Sequence, residues 1–418
     1  MKLLVVNPLS SANYFSDCLR GLGVDSVALY TRGREGYDAY TQPAPSLFGR
    51  QIFCEPQTDG ILELLAGERF NYVLNGSEST VRLADELAEA LTPGLANVPV
   101  TAARRSDKFA VQQHLANAGL PHIRQCLVPP ERAAVEAELA SGRFAYPFFL
   151  KPLKGVGSKG AMRIDSLVDL EDYFGSVRLD TLRRDLTVFC EGDSLSHLIV
   201  CEYVDGVEYF VDSFSFDGRL HVSSIQRYYK ETIDGSPMCR WFEVVPEDAP
   251  EAHAIVRYLG DAFEALGFRS GFAHTELFMT AGGPVMIELN PRIGGLRGYT
   301  NVNAHYAGLL TQPELLAAAL QGHSTTHPAR QSGRQMYSRA LTLFNFAGHA
   351  LPDFKQRLAG FSCVREVGQL QPPGTVRMGP ARSVSDIATV VFCSHEDVEV
   401  FERETRSIVD LDVRGWGD

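Results

Sequence analysis

The stretch Gly271-Phe272-Ala273-His274-Thr275-Glu276-Leu277-Phe278-Met279, continued by Thr280-Ala281-Gly282-Gly283-Pro284 and then Val285-Met286-Ile287-Glu288-Leu289-Asn290-Pro291-Arg292, reads as a β-hairpin. Taking Thr280 to Pro284 as the loop sets Met279 opposite Val285, Glu276 opposite Glu288 and His274 opposite Asn290. Successive side chains point to opposite faces of a strand, so these last four residues share one face. Val285, Ile287 and Leu289 take the other, as a buried sheet side requires.

Two carboxylates opposed in a sheet repel each other, and the arrangement has two readings. Either the face is solvated with one carboxyl protonated or turned aside, or a divalent cation lies between them. Glu276, Glu288 and the amide oxygen of Asn290 make an all-oxygen set of the kind Mg²⁺ takes, with positions left for phosphate oxygens and water. Arg292, two residues beyond Asn290, favours the second reading, because a guanidinium suits a phosphate. His274 is either a satisfied histidine of the sheet or a group beside a substrate.

Upstream lies Phe148-Phe149-Leu150-Lys151-Pro152-Leu153-Lys154-Gly155-Val156-Gly157-Ser158-Lys159-Gly160. A strand delivers Lys151 into a loop of three glycines, a serine and two further lysines. Such a loop can turn N–H groups and Ser158 toward phosphates, with glycine where the chain approaches closely. It lacks the P-loop spacing, and no dinucleotide fingerprint follows the N-terminal strand.

Around these segments the order of elements is legible. Lys2–Val6, Val24–Tyr30 and Tyr72–Leu74 read as strands alternating with helices near Tyr14–Leu22, Ile61–Leu65 and Val81–Leu91, which implies a parallel α/β domain to about residue 100. Ser106-Asp107-Lys108 opens a helix to Asn117. Asp-Gly pairs at 205–206 and 217–218 predict tight turns in an antiparallel meander. Leu310–Leu320 is helical, and Arg339–Phe346 and Ala388–Cys393 are strand-like. The expected domains are therefore 1–100, 101–205, 206–325 and a closing subdomain, 326–418.

Bulk properties limit the function classes. A chain of 418 residues that is 45% hydrophobic can bury a large core in several units. A net charge of −12 disfavours general binding to nucleic-acid backbones. No apolar run reaches the roughly 20 residues of a membrane span. The start Met1-Lys2-Leu3-Leu4-Val5-Val6-Asn7-Pro8 reads as a first strand instead of a signal peptide, so a cytoplasmic protein is expected. The eight cysteines contain no Cys-x-x-Cys pair, which predicts free thiols.

In order and spacing, these residues resemble the ATP-grasp superfamily from about Asn75 to Gly298. The resemblance implies an ATP-grasp fold: a Rossmann-like N-terminal domain, a small subdomain with the glycine-rich loop and a large subdomain with the metal site. It implies ATP with Mg²⁺, two ions replaceable by Mn²⁺, held by Glu276, Glu288 and Asn290. Lys108 and Lys151 correspond to the nucleotide-binding lysines, and Gly155, Gly157, Ser158 and Lys159 to the phosphate-covering loop. Glu208 corresponds to the ribose carboxylate, and Arg292 to the phosphate-side arginine. Leu198–Val204 resembles the adenine-reading hinge, with one departure. Cys201 stands where many members carry a glutamate, which leaves Glu202 beside it and the backbone of Tyr203 and Val204 as adenine readers.

Within the superfamily, Asn75-Gly76-Ser77-Glu78, the segment from Gly235-Ser236-Pro237 to Phe242-Glu243-Val244-Val245-Pro246, the His274 strand and Asn290-Pro291-Arg292-Ile293-Gly294-Gly295 look most like bacterial L-amino-acid ligases. That likeness places Glu243 and His274 near an amino-acid substrate, and Arg292 with the Gly294-Gly295 backbone facing an acyl phosphate. Arg227, Arg240, Trp241 and Arg297 are candidates for selecting substrates. The expected partners are small carboxylate and amine substrates, with a homodimer allowed. Three alternatives stand: another ATP-grasp ligase or carboxylase with a different acceptor, a non-catalytic ATP-binding protein and, disfavoured by the assembled lysine, loop, carboxylate and arginine pattern, a nucleotide-free structural protein.

Overall fold

The computed structural model describes residues 1–9, 11–32, 48–153, 160–176, 196–233, 236–327, 336–344, 350–376 and 387–413. The chain builds three sheets. In the first, β1 (Lys2–Val6), β2 (Asp25–Tyr30), β3 (Arg50–Phe53) and β4 (Tyr72–Asn75) run parallel in the order β3-β2-β1-β4. Its strands are apolar on both faces because both are covered. Leu4 and Val6 pack with Ile61 and Leu87 on one side, and Leu3 and Val5 with Phe214, Phe272 and Leu315 on the other. This second contact seats the N-terminal unit on the rest of the molecule.

The small sheet contains β5 (Gln125–Val128), β6 (Phe148–Pro152), β7 (Met162–Ile164) and β8 (Leu198–Glu202), in the order β5-β8-β6-β7 with antiparallel neighbours. The large sheet has eight strands: β9 (Val207–Phe216), β10 (Arg219–Ile233), β11 (Ser236–Val244), β12 (Gly271–Thr280), β13 (Gly283–Asn290), β14 (Tyr337–Phe344), β15 (Val364–Gln369) and β16 (Ile387–His395). Its order is β13-β12-β9-β10-β11-β14-β16-β15. Pairing of Phe242 with Ala340 continues β11 into β14, so the described strands of residues 326–418 extend the central sheet.

The two Asp-Gly pairs behave differently. Asp217 and Gly218 both take positive φ between the paired Phe216 and Arg219, the two-residue turn that matches strand twist. Asp205-Gly206 makes no hairpin, because β8 and β9 belong to different sheets. There the chain crosses between sheets, and a Cβ on Gly206 would lie 2.8 Å from the Met279 carbonyl oxygen. The helix Pro250–Leu266, not anticipated from the sequence, buries Ile255, Leu259, Ala262, Phe263 and Leu266 against the large sheet at helical spacing. No helix of the described residues is long and apolar enough to cross a membrane.

Candidate functional site

β12 and β13 oppose Glu276 to Glu288 and His274 to Asn290, by a different route from the expected one. The turn is only Ala281-Gly282, because Thr280 pairs with Gly283 and its hydroxyl closes the turn, accepting from Gly282 N at 3.0 Å and donating to Gly283 O at 2.8 Å. Phe278, not Met279, therefore faces Val285, and a bulge beside Leu277 makes Ile287 the extra residue. The face assignment changes with it. Met286 and Leu289 enter the core beneath the Pro250–Leu266 helix, whereas Val285 and Ile287 pack toward Ile199 and Cys201 of the small sheet.

Gln112 fastens the next element to this bulge. Its Nε2 donates to the carbonyls of Met286 and Ile287 at 2.8 and 3.3 Å, and its Oε1 accepts from Ile123 N at 2.7 Å. Gln112 belongs to the helix Lys108–Asn117, whose cap Asp107 accepts from Phe109 N and Ala110 N. Lys108 thus stands at the helix start, with Nζ 3.0 Å from Glu288 Oε2. Burial opposes the charge on Lys108, but Glu288, Glu78 and Glu276 outweigh it and raise its pKa. Burial likewise opposes ionisation of Glu288, yet Lys108 and Lys151 hold its pKa down at about 2. Asn290 Nδ2 donates to Glu288 Oε1 at 3.1 Å, leaving its oxygen to face elsewhere.

Lys151 lies on the small-sheet face that carries Ile199, Cys201, Leu127 and Phe149. With Val285 and Ile287 packed against them, these side chains form one apolar cluster along the slot where the two sheets meet. Lys151 and Lys108 both act electrostatically on Cys201. Strand alternation puts Glu202 on the other face, where its carboxylate accepts from Arg124 N at 2.7 Å. The Glu202 side chain is therefore turned away from the slot. Beyond β8, Val204 packs against the slot cluster and Tyr203 lies under the Arg163 guanidinium, 4.3 Å from the ring centre. Glu208 shares the face of Glu276 and accepts from Lys230 Nζ at 2.7 Å. Residues 154–159, with Gly155, Gly157, Ser158 and Lys159, lie outside the described residues.

His274 is buried and its Nδ1 is 2.7 Å from Asp212 Oδ1, while Nε2 is 3.7 Å from Glu276. Burial disfavours the imidazolium, but Asp212 first and Glu276 second raise its pKa to about 9. A Cβ on Gly294 would come within 2.8 Å of Asp212 Oδ1 and 2.2 Å of Thr300 Oγ, so glycine alone lets this backbone pass so close. Arg292 Nε donates to Glu78 Oε1 at 2.8 Å and Nη1 to the Ile293 carbonyl at 2.9 Å. Asn75 Nδ2 holds the Pro291 carbonyl at 2.8 Å. The Asn75–Glu78 loop of the first sheet thus completes the site from the N-terminal unit.

Glu243 is not part of this assembly. It pairs with Arg227 and Arg339, on the sheet face opposite His274, where it accepts from Tyr229 Oη and from Arg339 Nε at 3.0 Å. Phe242 faces the site side instead, beside Phe210. Trp241 stacks on Tyr229 and Arg227 lies over the same ring, both on the Glu243 face. Arg240 donates to the Thr342 and Val409 carbonyls inside the C-terminal packing. Of the four substrate-selecting candidates, only Arg297 remains with the 291–300 loop, held at a left-handed φ of 56°. Asp212 and Gln112 are the residues the sequence reading passed over. A lone carboxylate inside the apolar run Tyr209-Phe210-Val211-Asp212-Ser213-Phe214 was the available signal for the first.

The donor set fits magnesium. Among the described residues no three His, Cys, Asp or Glu side chains form a metal cage, but Glu276, Glu288 and the Asn290 oxygen would supply a partial oxygen shell. That suits an ion completing its sphere with phosphate oxygens and water.

Residues 144–300 match the family model for the ATP-grasp domain. Dapdiamide A synthase of Enterobacter agglomerans is 26% identical over 274 residues, 62% of this chain and 59% of that protein. The match thus spans less than two thirds of that relative's length. The fold is similar to an L-amino acid ligase from Bacillus licheniformis, with a TM-score of 0.73 and 21% identity over 98% of this chain and 97% of that one. It is also similar to a carboxyaminoimidazole ribonucleotide synthase from Aspergillus clavatus solved with ATP, with a TM-score of 0.68 and 15% identity over 99% and 98% of the two chains. The β12–β13 site lies inside the matched stretch, near its C-terminal end, and the chain thus carries an ATP-grasp domain over residues 144–300.

Proposed function

We propose that the chain is an ATP- and magnesium-dependent ligase that joins the carboxylate of one amino acid, or a similar acid, to the amine of another, through an acyl phosphate and with release of ADP and phosphate. The observation that carries this reading is the convergence on one surface of Lys108, Lys151, Glu276, Glu288, Asn290 and Arg292, at the end of an apolar slot. Three cationic side chains near paired carboxylates suit a nucleoside triphosphate with its metal. The names of the dapdiamide synthase and the L-amino acid ligase support amino acids as the substrate class.

In this reading the slot takes the base, with the Tyr203–Val204 backbone at its rim and Glu208 on the ribose. Lys108 and Lys151 hold the phosphates. Glu276, Glu288 and Asn290 would hold Mg²⁺, which supplies charge neutralisation at the phosphate oxygens when bound. The first substrate's carboxylate oxygen attacks the γ-phosphorus in line, and the bond from that phosphorus to the β–γ bridging oxygen breaks to leave ADP. Positioning and charge compensation by the lysines and Arg292 do most of the work. The second substrate's amine then attacks the acyl carbon and phosphate departs with the carboxylate oxygen. His274, oriented by Asp212, and the Gly294-Gly295 backbone lie where the substrate carboxyl is handled. Water has to be excluded, since it would hydrolyse the acyl phosphate.

The purified chain, given ATP, Mg²⁺ and all pairs of the standard amino acids, is expected to release phosphate only with particular pairs. Each active pair yields a product with the mass of the two acids less water. Saturable ATP binding with no pair-dependent phosphate release would rule out ligation of two standard amino acids and point to an unusual acyl substrate or a non-catalytic role.

A further inference from the structure

The apolar slot has a polar feature that the proposed chemistry leaves unused. Gln125 sits on β5 directly opposite Cys201, on the face shared with Leu127, Ile199 and Lys151. Its amide is oriented by its neighbours. Nε2 donates to two carbonyls of the first helical turn, Lys108 at 3.0 Å and Phe109 at 3.2 Å. Both amide hydrogens are thereby engaged, which fixes the flip of the side chain. Oε1 then points toward Cys201, whose thiol is 3.7 Å away. A thiol is a weak donor, and a carboxamide oxygen has two lone pairs. One strong acceptor thus remains fixed among apolar walls.

The surroundings define what this acceptor meets. The walls, Ile199, Phe149, Val285 and Ile287, suit a flat ring system, and the adjacent lysines Lys108 and Lys151 suit its phosphates. The residue that would otherwise present an acceptor, Glu202, faces away toward Arg124. We propose that Gln125 reads the base, its Oε1 accepting from the 6-amino group of adenine and disfavouring a 6-oxo purine. This rests on the nucleotide-binding reading above. A 6-oxo group would set two acceptors against each other, whereas an amino group satisfies the half-buried oxygen. Anchoring by the helix that carries Lys108 also ties base recognition to phosphate contact through one side chain.

The test compares ATP with inosine triphosphate, which carries a 6-oxo in place of the 6-amino group. Equilibrium titration of wild type should show clear preference for ATP. Gln125→Met, similar in length but without the amide, should weaken ATP binding about tenfold, the scale of one lost hydrogen bond, and bring the ratio of the two affinities toward one. Gln125→Glu keeps an acceptor and should retain preference for ATP. If Gln125 only latches the helix, Gln125→Met weakens both nucleotides equally, and an unchanged ratio overturns the inference while leaving nucleotide binding intact. Wild type that binds neither nucleotide overturns the nucleotide reading and this inference with it.

Discussion

Glu288→Gln is expected to lower pair-dependent phosphate release by about a hundred- to a thousandfold, the range found when one electrostatic group aimed at developing charge is removed. Glu288 faces Glu276, contacts Lys108 at 3.0 Å and accepts from Asn290 at 3.1 Å. Glutamine keeps the shape and removes the charge, so the bulge, the Gln112 contacts and the hairpin register should persist. The thermal midpoint is expected to move little, and steady-state phosphate release with an active amino-acid pair measures the loss. Retention of wild-type turnover would remove Glu288 from the chemistry.

The second large effect is on stability. Arg105 has no exposed surface, and its Nη2 donates to Asp85 Oδ2 at 2.6 Å, while Nη1 donates to Thr101 Oγ at 2.7 Å. Asn97 completes the group, donating to Asp85 at 3.0 Å and to the Ser270 carbonyl at 2.8 Å. Burial raises the pKa of Asp85, and Arg105 counters it. Arg105→Met removes the counter-charge and leaves a buried carboxylate, a change that costs about 3–5 kcal/mol. The double variant Arg105→Met with Asp85→Leu should recover much of this, because a well-packed apolar pair removes the desolvation penalty as well. Urea denaturation of the three proteins decides it. The cluster joins the first sheet's helix Val81–Leu91 to Ser270 at the start of β12, and with Asn75 and Pro291 it borders a cavity of about 20 Å³.

Much of the fold is legible in the sequence because its elements carry local signals. The parallel strands of the first sheet are continuous apolar runs, the Lys108 helix has its Asp107 cap, and the Asp217-Gly218 turn has the residues its dihedrals require. The opposed pairs of the β12–β13 hairpin follow from alternation alone. The two-residue turn and the compensating bulge do not, since Gln112, distant in sequence, stabilises the bulge. Asp205-Gly206 misleads for a similar reason: a turn signal does not say whether the strands it joins share a sheet. The Pro250–Leu266 helix was missed although its apolar spacing and its Gly267 stop are ordinary helix signals.

The site was legible where chemistry is concentrated and obscure where faces decide. Glu276, Glu288, Asn290 and Arg292 stand close in sequence, and the alternation of one hairpin's two strands groups the first three, with Arg292 just beyond. Glu243 and Glu202 look like site residues by motif, yet each sits one step out of phase with its strand's site-facing side. Asp212, Gln112 and Gln125 act through partners on other elements, and pairing of distant strands and helices is what reveals them.

The central claim is that a carboxylate of the first substrate is phosphorylated by ATP before the amine attacks. It is tested most directly by running the active pair with ¹⁸O in the carboxylate of the first amino acid. The account predicts one ¹⁸O in the released phosphate and none in the nucleotide, which is recovered as ADP. Unlabelled phosphate, or label in AMP, would contradict it.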